Sequence, residues 1–153
     1  MRIVEQFVQA IAAIMGRRKA KDYKEARELV RTTGRYLLRT DIDLLLLFKP
    51  DQILDHFKDF SDQLETEKCV LAADLFHELA LIEEAEQHPI AALHLKTICL
   101  HLYTTAIPKE QQFQKTQYFE KVAALIEELK LHPLSEKMLQ SLRCYDEFIL
   151  ATL

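Results

Sequence analysis

Apolar residues recur at Ile3, Val4, Phe7, Val8, Ile11, Ile14 and Met15, the three- and four-residue spacing that gathers side chains on one face of an α-helix. This predicts a first helix over 2–16, loosened or ended by Gly16, with Arg17, Arg18 and Lys19 at its negative dipole end. A second helix is expected over 21–38. Tyr23, Ala26, Val30, Thr33 and Leu37 form its inner stripe, while Arg27, Arg31 and Arg35 project from another side at four-residue intervals and Arg39 continues the row. At about 100° per residue the two arcs separate, so one is buried and the other solvated. Gly34 costs this helix about 1 kcal/mol relative to alanine and marks close helix packing.

From Asp41 to Phe60 the periodicity breaks. Asp41 is placed to cap a short core-facing helix through Leu44-Leu45-Leu46-Leu47-Phe48, and Pro50 to start another reaching Phe57. A strand reading of the apolar run lacks a second strand to satisfy its edges. A long helix is expected from Ser61 or Asp62 to Glu86, with Leu64, Val70, Leu71, Leu75, Leu79 and Ile82 buried. The next, over 90–107, turns Ala91, Leu95, Ile98, Cys99, Leu102 and Ala106 one way, but Leu93, Leu100 and Tyr103 widen its apolar surface. That width predicts a central helix contacted from several directions. After Pro108 a helix is expected over 110–131, lined by Phe119, Val122, Ala123, Ile126 and Leu129. After Pro133 a last helix runs over 134–151 through Leu134, Met138, Leu142, Tyr145 and Ile149. Its uncharged end, Phe148 to Leu153, calls for docking into the domain or against another subunit.

Composition agrees with a helical reading. Two glycines and four prolines in 153 residues are few for a sheet protein, which needs many turn residues. With 49% hydrophobic and 29% charged residues, one globular domain over 1–153 is expected and wholesale disorder is not. The net charge of -4 is uneven: Arg17 to Thr40 carries nine basic and three acidic residues, and the chain from Asp41 onward ten basic and twenty acidic. Cys69, Cys99 and Cys144 are odd in number and unpaired in spacing, which fits a reducing compartment and buried packing. The N-terminus lacks the pattern of a secretion signal, and no stretch approaches the roughly 20 apolar residues of a membrane span. A cytoplasmic location without membrane contact is expected.

Candidate chemistry is sparse. His94 and His101 are seven apart, about two helical turns, too far to share a small ion without a third group such as His77 or Asp74. Asp74 and His77, three apart, share a helix face, a geometry equally common in surface pairs. No glycine-rich phosphate loop occurs, and Asp41-x-Asp43 lacks the rest of a calcium loop. No cofactor is expected. The arginine row could attract an acidic protein surface or a phosphate backbone, but no aromatic stacking platform accompanies it.

The order of elements, with Gly16 before Lys21-Asp22-Tyr23-Lys24-Glu25-Ala26, then Asp43-Leu44-Leu45, Leu71-Ala72 through Leu75, and Ala91-Ala92-Leu93 through Leu102-Tyr103, resembles an uncharacterised bacterial family of small tetratricopeptide-like proteins over nearly the whole chain. The resemblance implies helix-pair packing at Tyr23, Ala26 and Ala91. The expected fold is therefore all-α: antiparallel pairs 2–16 with 21–38, 61–86 with 90–107, and 110–131 with 134–151. These would form a tetratricopeptide-like right-handed array or compact bundle with a short irregular connector. The expected function is a non-enzymatic helical interaction or scaffold protein that binds an unknown protein partner or itself. Its candidate surface is Arg17, Arg18, Arg27, Arg31, Arg35, Arg39, Phe148, Leu150 and Leu153. Nucleic-acid binding through the basic face is the alternative, and a small metal-dependent enzyme using His77 or His94 and His101 a minor one.

Overall fold

Two long apolar helices organise the protein. In the computed structural model, which describes residues 3–109 and 116–152, these are α5 (Thr66–Ala85) and α6 (Pro89–Ala106, extended by a 3-10 turn Ile107–Lys109). They run in opposite senses: Cys69 Sγ lies 3.8 Å from the Leu102 carbonyl and Cys99 Sγ 3.4 Å from that of Ala73. Both are buried on most sides, with Phe76, Leu75, Ile82, Ile98, Leu100, Leu102 and Tyr103 all sealed from solvent. Each such large side chain contributes about 1.5–3 kcal/mol of transfer free energy. The remaining helices are α1 (Ile3–Lys19), α2 (Tyr23–Leu37), α3 (Ile42–Leu45), α4 (Pro50–His56), α7 (Thr116–Leu129) and α8 (Glu136–Thr152). Among the described residues the protein is thus all-helical, with one isolated bridge between Lys58 and Leu64. α1 packs on α2, both touch α5, and α4, α7 and α8 each pack on α6.

Local chemistry sets the helix ends. Asp41 Oδ1 accepts from the Leu44 N–H at 3.1 Å, and Ser135 Oγ from that of Met138 at 3.1 Å, satisfying N–H groups without a helical partner. Pro50 and Pro89 open α4 and α6 where a missing N–H costs nothing. With so little glycine, left-handed corners fall to other residues. Lys21 (φ 63°) and Gln87 (φ 64°) close α1 and α5. Asp22 N–H reaches Arg17 O and His88 N–H reaches Glu83 O, the wide bond of the Schellman turn.

Several sequence expectations need correction. Gly16 does not end the first helix, which continues to Lys19, because the stop is made by the corner at Lys21. The long helix begins at Thr66 rather than Ser61 or Asp62. Residues 58–64 instead form a tight loop in which Asp59 Oδ1 accepts from the Ser61 and Gln63 N–H groups and Asp62 is left-handed (φ 61°). Ala91 and Ala123 are exposed, and their neighbours Ala92, Tyr118 and Leu125 are buried. Of the leucine run only Leu45 is buried, while Leu44, Leu47 and Phe48 face outward. Cys144 is exposed, unlike Cys69 and Cys99. Residues 110–115, at the start of the helix expected over 110–131, lie outside the described residues. α7 and α8 are each seated on α6 and meet each other through Phe119 and Phe148, whose ring centroids are 6.3 Å apart. Finally, the helix reaching Lys109 is long and apolar enough to cross a membrane by length and composition, with 67% of its apolar window buried inside the protein.

Candidate interaction groove

α1 carries two apolar lines. At about 100° per residue, Val4, Val8, Ile11 and Met15 cluster within roughly 60° of arc, while Phe7 and Ile14 lie roughly 80° to one side. Phe7 and Ile14 enter the core at 2% and 0% exposure, whereas Val8 remains 62% exposed. The second line therefore forms one wall of a groove of about 470 Å³. Leu71 and Leu81 of α5 continue the apolar lining, and Arg18, Asp74, His77, Glu78, Tyr118 and Lys121 supply the polar part.

That polar part is internally organised. Asp74 accepts from the Tyr103 hydroxyl, from Tyr118 at 3.0 Å and from Lys121 Nζ at 3.2 Å, tying α5 to α6 and α7. Lys121 Nζ also lies 5.4 Å from the centroid of the Tyr103 ring, within reach of a cation–π contact. Burial, reinforced by the Asp74 carboxylate, pushes both phenols up, so they stay protonated and donate. Arg18 Nε donates to Glu78 Oε2 at 2.8 Å beside the groove. Burial, then the nearby Lys121, Lys96 and Arg18 charges, pushes His77 down to about 3, so its imidazole is neutral near pH 7.

The arginine row is dispersed among acids of the same chain. Arg27 binds Glu83 at 3.0 Å and also Glu86, and Glu83 Oε2 holds His88 Nδ1 at 2.7 Å. Arg31 binds Asp43 at 2.9 Å and Glu28 at 3.5 Å, and Arg17 lies 3.8 Å from Asp22. Arg35 and Arg39 are exposed. Of the six arginines only Arg18 lines the groove. At the far end of the chain Phe148 packs against Phe119 and Tyr145, Leu150 is exposed, and Leu153 lies outside the described residues. The structure therefore brings Arg18 together with Asp74 and His77, but not with the other arginines or with the C-terminal end.

The histidines are likewise separated: His94 is exposed, and His101 is buried near Asp51. No cluster of three or more His, Cys, Asp or Glu is placed to hold a metal among the described residues. Sequence reasoning missed Asp74 as a shared acceptor, and Tyr118 and Lys121 altogether. The available signal was their i, i+3 spacing, which puts a phenol and an ammonium on one face of α7. Comparison with protein-family models, curated proteins and solved structures gives no match for this chain.

Proposed function

We propose that the chain is a non-enzymatic helical interaction protein whose groove between α1, α5 and α7 receives an amphipathic helix of a protein partner. The observation that carries this reading is the second apolar line of α1, which the domain leaves uncovered at Val8. A helix that lays apolar residues at i, i+4 and i+7 along such a line would bury it, with the Arg18–Glu78 and Lys121–Asp74 pairs at its polar edge. The α1/α2 and α5/α6 pairs fit a degenerate tetratricopeptide-like array, and such arrays commonly present concave binding surfaces. Binding to nucleic acid through the arginine row has less support, since Arg18, Arg27 and Arg31 are already held by carboxylates that a phosphate backbone would have to displace.

The test is recovery of complexes from the native host with the wild-type chain and with Val8→Asp, which changes an exposed position. The expected result is a partner bound by the wild type and lost from the variant, with unfolding temperatures within a few degrees of each other. Equal recovery by both would place binding elsewhere. A self-associated species abolished by Val8→Asp would identify a second copy as the occupant.

A further inference from the structure

A second cavity, of about 970 Å³, opens between α4, the loop before α5, the end of α6 and the first turns of α8. Its size is at the upper end of the range for small-molecule sites, about 300–1,000 Å³. The buried group in its lining is His101, 3% exposed. Asp51 Oδ1 lies 3.0 Å from Nε2, but off the line of a ring N–H, so the buried Nε2 makes no hydrogen bond. Nδ1 lies 3.4 Å from Ser141 Oγ. The single proton of that hydroxyl is also directed to the Lys137 carbonyl at 3.1 Å, and Thr105 Oγ1 is a further neighbour at 3.3 Å. When Ser141 donates to Lys137 its oxygen still accepts from an Nδ1–H, so Nε2 is the ring nitrogen left without an aligned partner. A buried ring nitrogen left in that state costs about 1–3 kcal/mol, which a polar group admitted by a movement of Asp51 would recover.

The charges around it are sorted by wall. Asp55 and Asp62 share the single charge of Lys58, at 3.1 and 3.7 Å, which leaves the α4 side net negative. Lys137 and Arg143 on α8, with Lys109 after α6, line the cavity together with one acid, Glu136; among the described residues none of the three cations has a carboxylate within ion-pair distance, and this wall is net positive. A compact anion is attracted to that second wall, where the arginine fork suits a phosphoryl group. Toward His101 and Asp51 a second anionic group would be repelled. A hydroxyl suits that end because it can donate to Asp51 and either donate to or accept from the imidazole. Ser141, His101 and Asp51 also have the order of a nucleophile, base and carboxylate. Ser141 lies inside α8 with its backbone N–H committed to the helix, which leaves no backbone donor for an oxyanion.

We infer that this cavity binds a small hydroxylated organic phosphate, its phosphoryl group held by Lys109, Lys137 and Arg143 and its hydroxyls by His101 and Asp51. The test is a nuclear magnetic resonance titration of the full chain with glycerol phosphate, ribose phosphate and glucose phosphate. Inorganic phosphate and glucose serve as the separate halves of the ligand. At least one ester should give saturable shifts at His101, Thr105 and Ser141, with affinity about tenfold or more above inorganic phosphate and a similar loss in a Lys137→Ala/Arg143→Ala variant. Both substitutions are at exposed side chains, and the variant's unchanged spectrum outside the cavity checks its fold. Absence of saturation by all three esters would overturn the assignment. So would equal binding of inorganic phosphate, or unchanged affinity in the variant.

Discussion

The two glycines make opposite predictions under the same substitution. Each lies within a helix, so replacement by alanine gains about 0.5–1 kcal/mol from reduced backbone entropy. At Gly16 an added Cβ would meet nothing within 4 Å, so Gly16→Ala keeps the whole gain. At Gly34 the same atom would lie 2.6 Å from Ile42 Cγ1 and 3.2 Å from the Thr40 carbonyl oxygen. Ile42 is 1% exposed and cannot swing aside without moving the core. Overpacking of this kind costs about 1–3 kcal/mol, which leaves Gly34→Ala destabilised by about 1 kcal/mol after the helix gain. In a domain of this size 1 kcal/mol corresponds to about 2–4 °C. Thermal unfolding followed by far-UV circular dichroism should therefore raise the midpoint of Gly16→Ala by up to that amount and lower that of Gly34→Ala. A Gly34→Ala protein as stable as Gly16→Ala would refute the close approach of α2 to α3.

Three further outcomes follow from buried polar groups. The folded-state value of His77, about 3, lies below the unfolded value of 6.5, so the unfolded chain takes up a proton that the folded one refuses and stability falls with pH across that window. Acidification from pH 7 to pH 5 should cost about 2 kcal/mol through this residue. His101 is shifted the same way, so chemical denaturation of His77→Gln at both pH values should show a flatter slope; an unchanged slope would count against the burial of His77. Asp74→Ala leaves the Tyr103 hydroxyl and Lys121 without their acceptor and should destabilise by about 3 kcal/mol, a loss that equilibrium unfolding would measure. Burial pushes the Cys69 and Cys99 thiols up, so a thiol reagent should modify Cys144 alone in the folded protein and all three cysteines after denaturation; native labelling of Cys99, detected by peptide mass spectrometry, would contradict the core.

Periodicity alone made most of the helices legible. The inner stripe of α2 and the broad apolar surface of α6 follow from residue spacing, because a helix must turn its apolar arc toward whatever buries it. The start of α5 was not legible: Leu64 continues the apolar spacing but belongs to the loop closed by Asp59, whose hydrogen bonds leave no mark on periodicity. The arginine row was visible as a row, yet its meaning depended on Glu78, Glu83 and Glu86, more than fifty residues away. The groove was half legible, since Val4, Val8, Ile11 and Met15 were read as one face with Phe7 and Ile14. Only packing against α2 and α5 decides which of the two lines is covered. The His101 cavity was the least legible, because Asp51, His101 and Ser141 come from three separate helices.

The claim that the groove receives a partner is tested most directly by placing a photo-crosslinking residue at Val8 and, in a second protein, at Leu131, which is also apolar and exposed but outside the groove. Irradiated in cells of the native host, the Val8 protein should give a discrete crosslinked species that disappears when Ile11→Asp is added, and the Leu131 protein should not give it. The same species from both positions, or none from Val8, would contradict the groove as the binding surface.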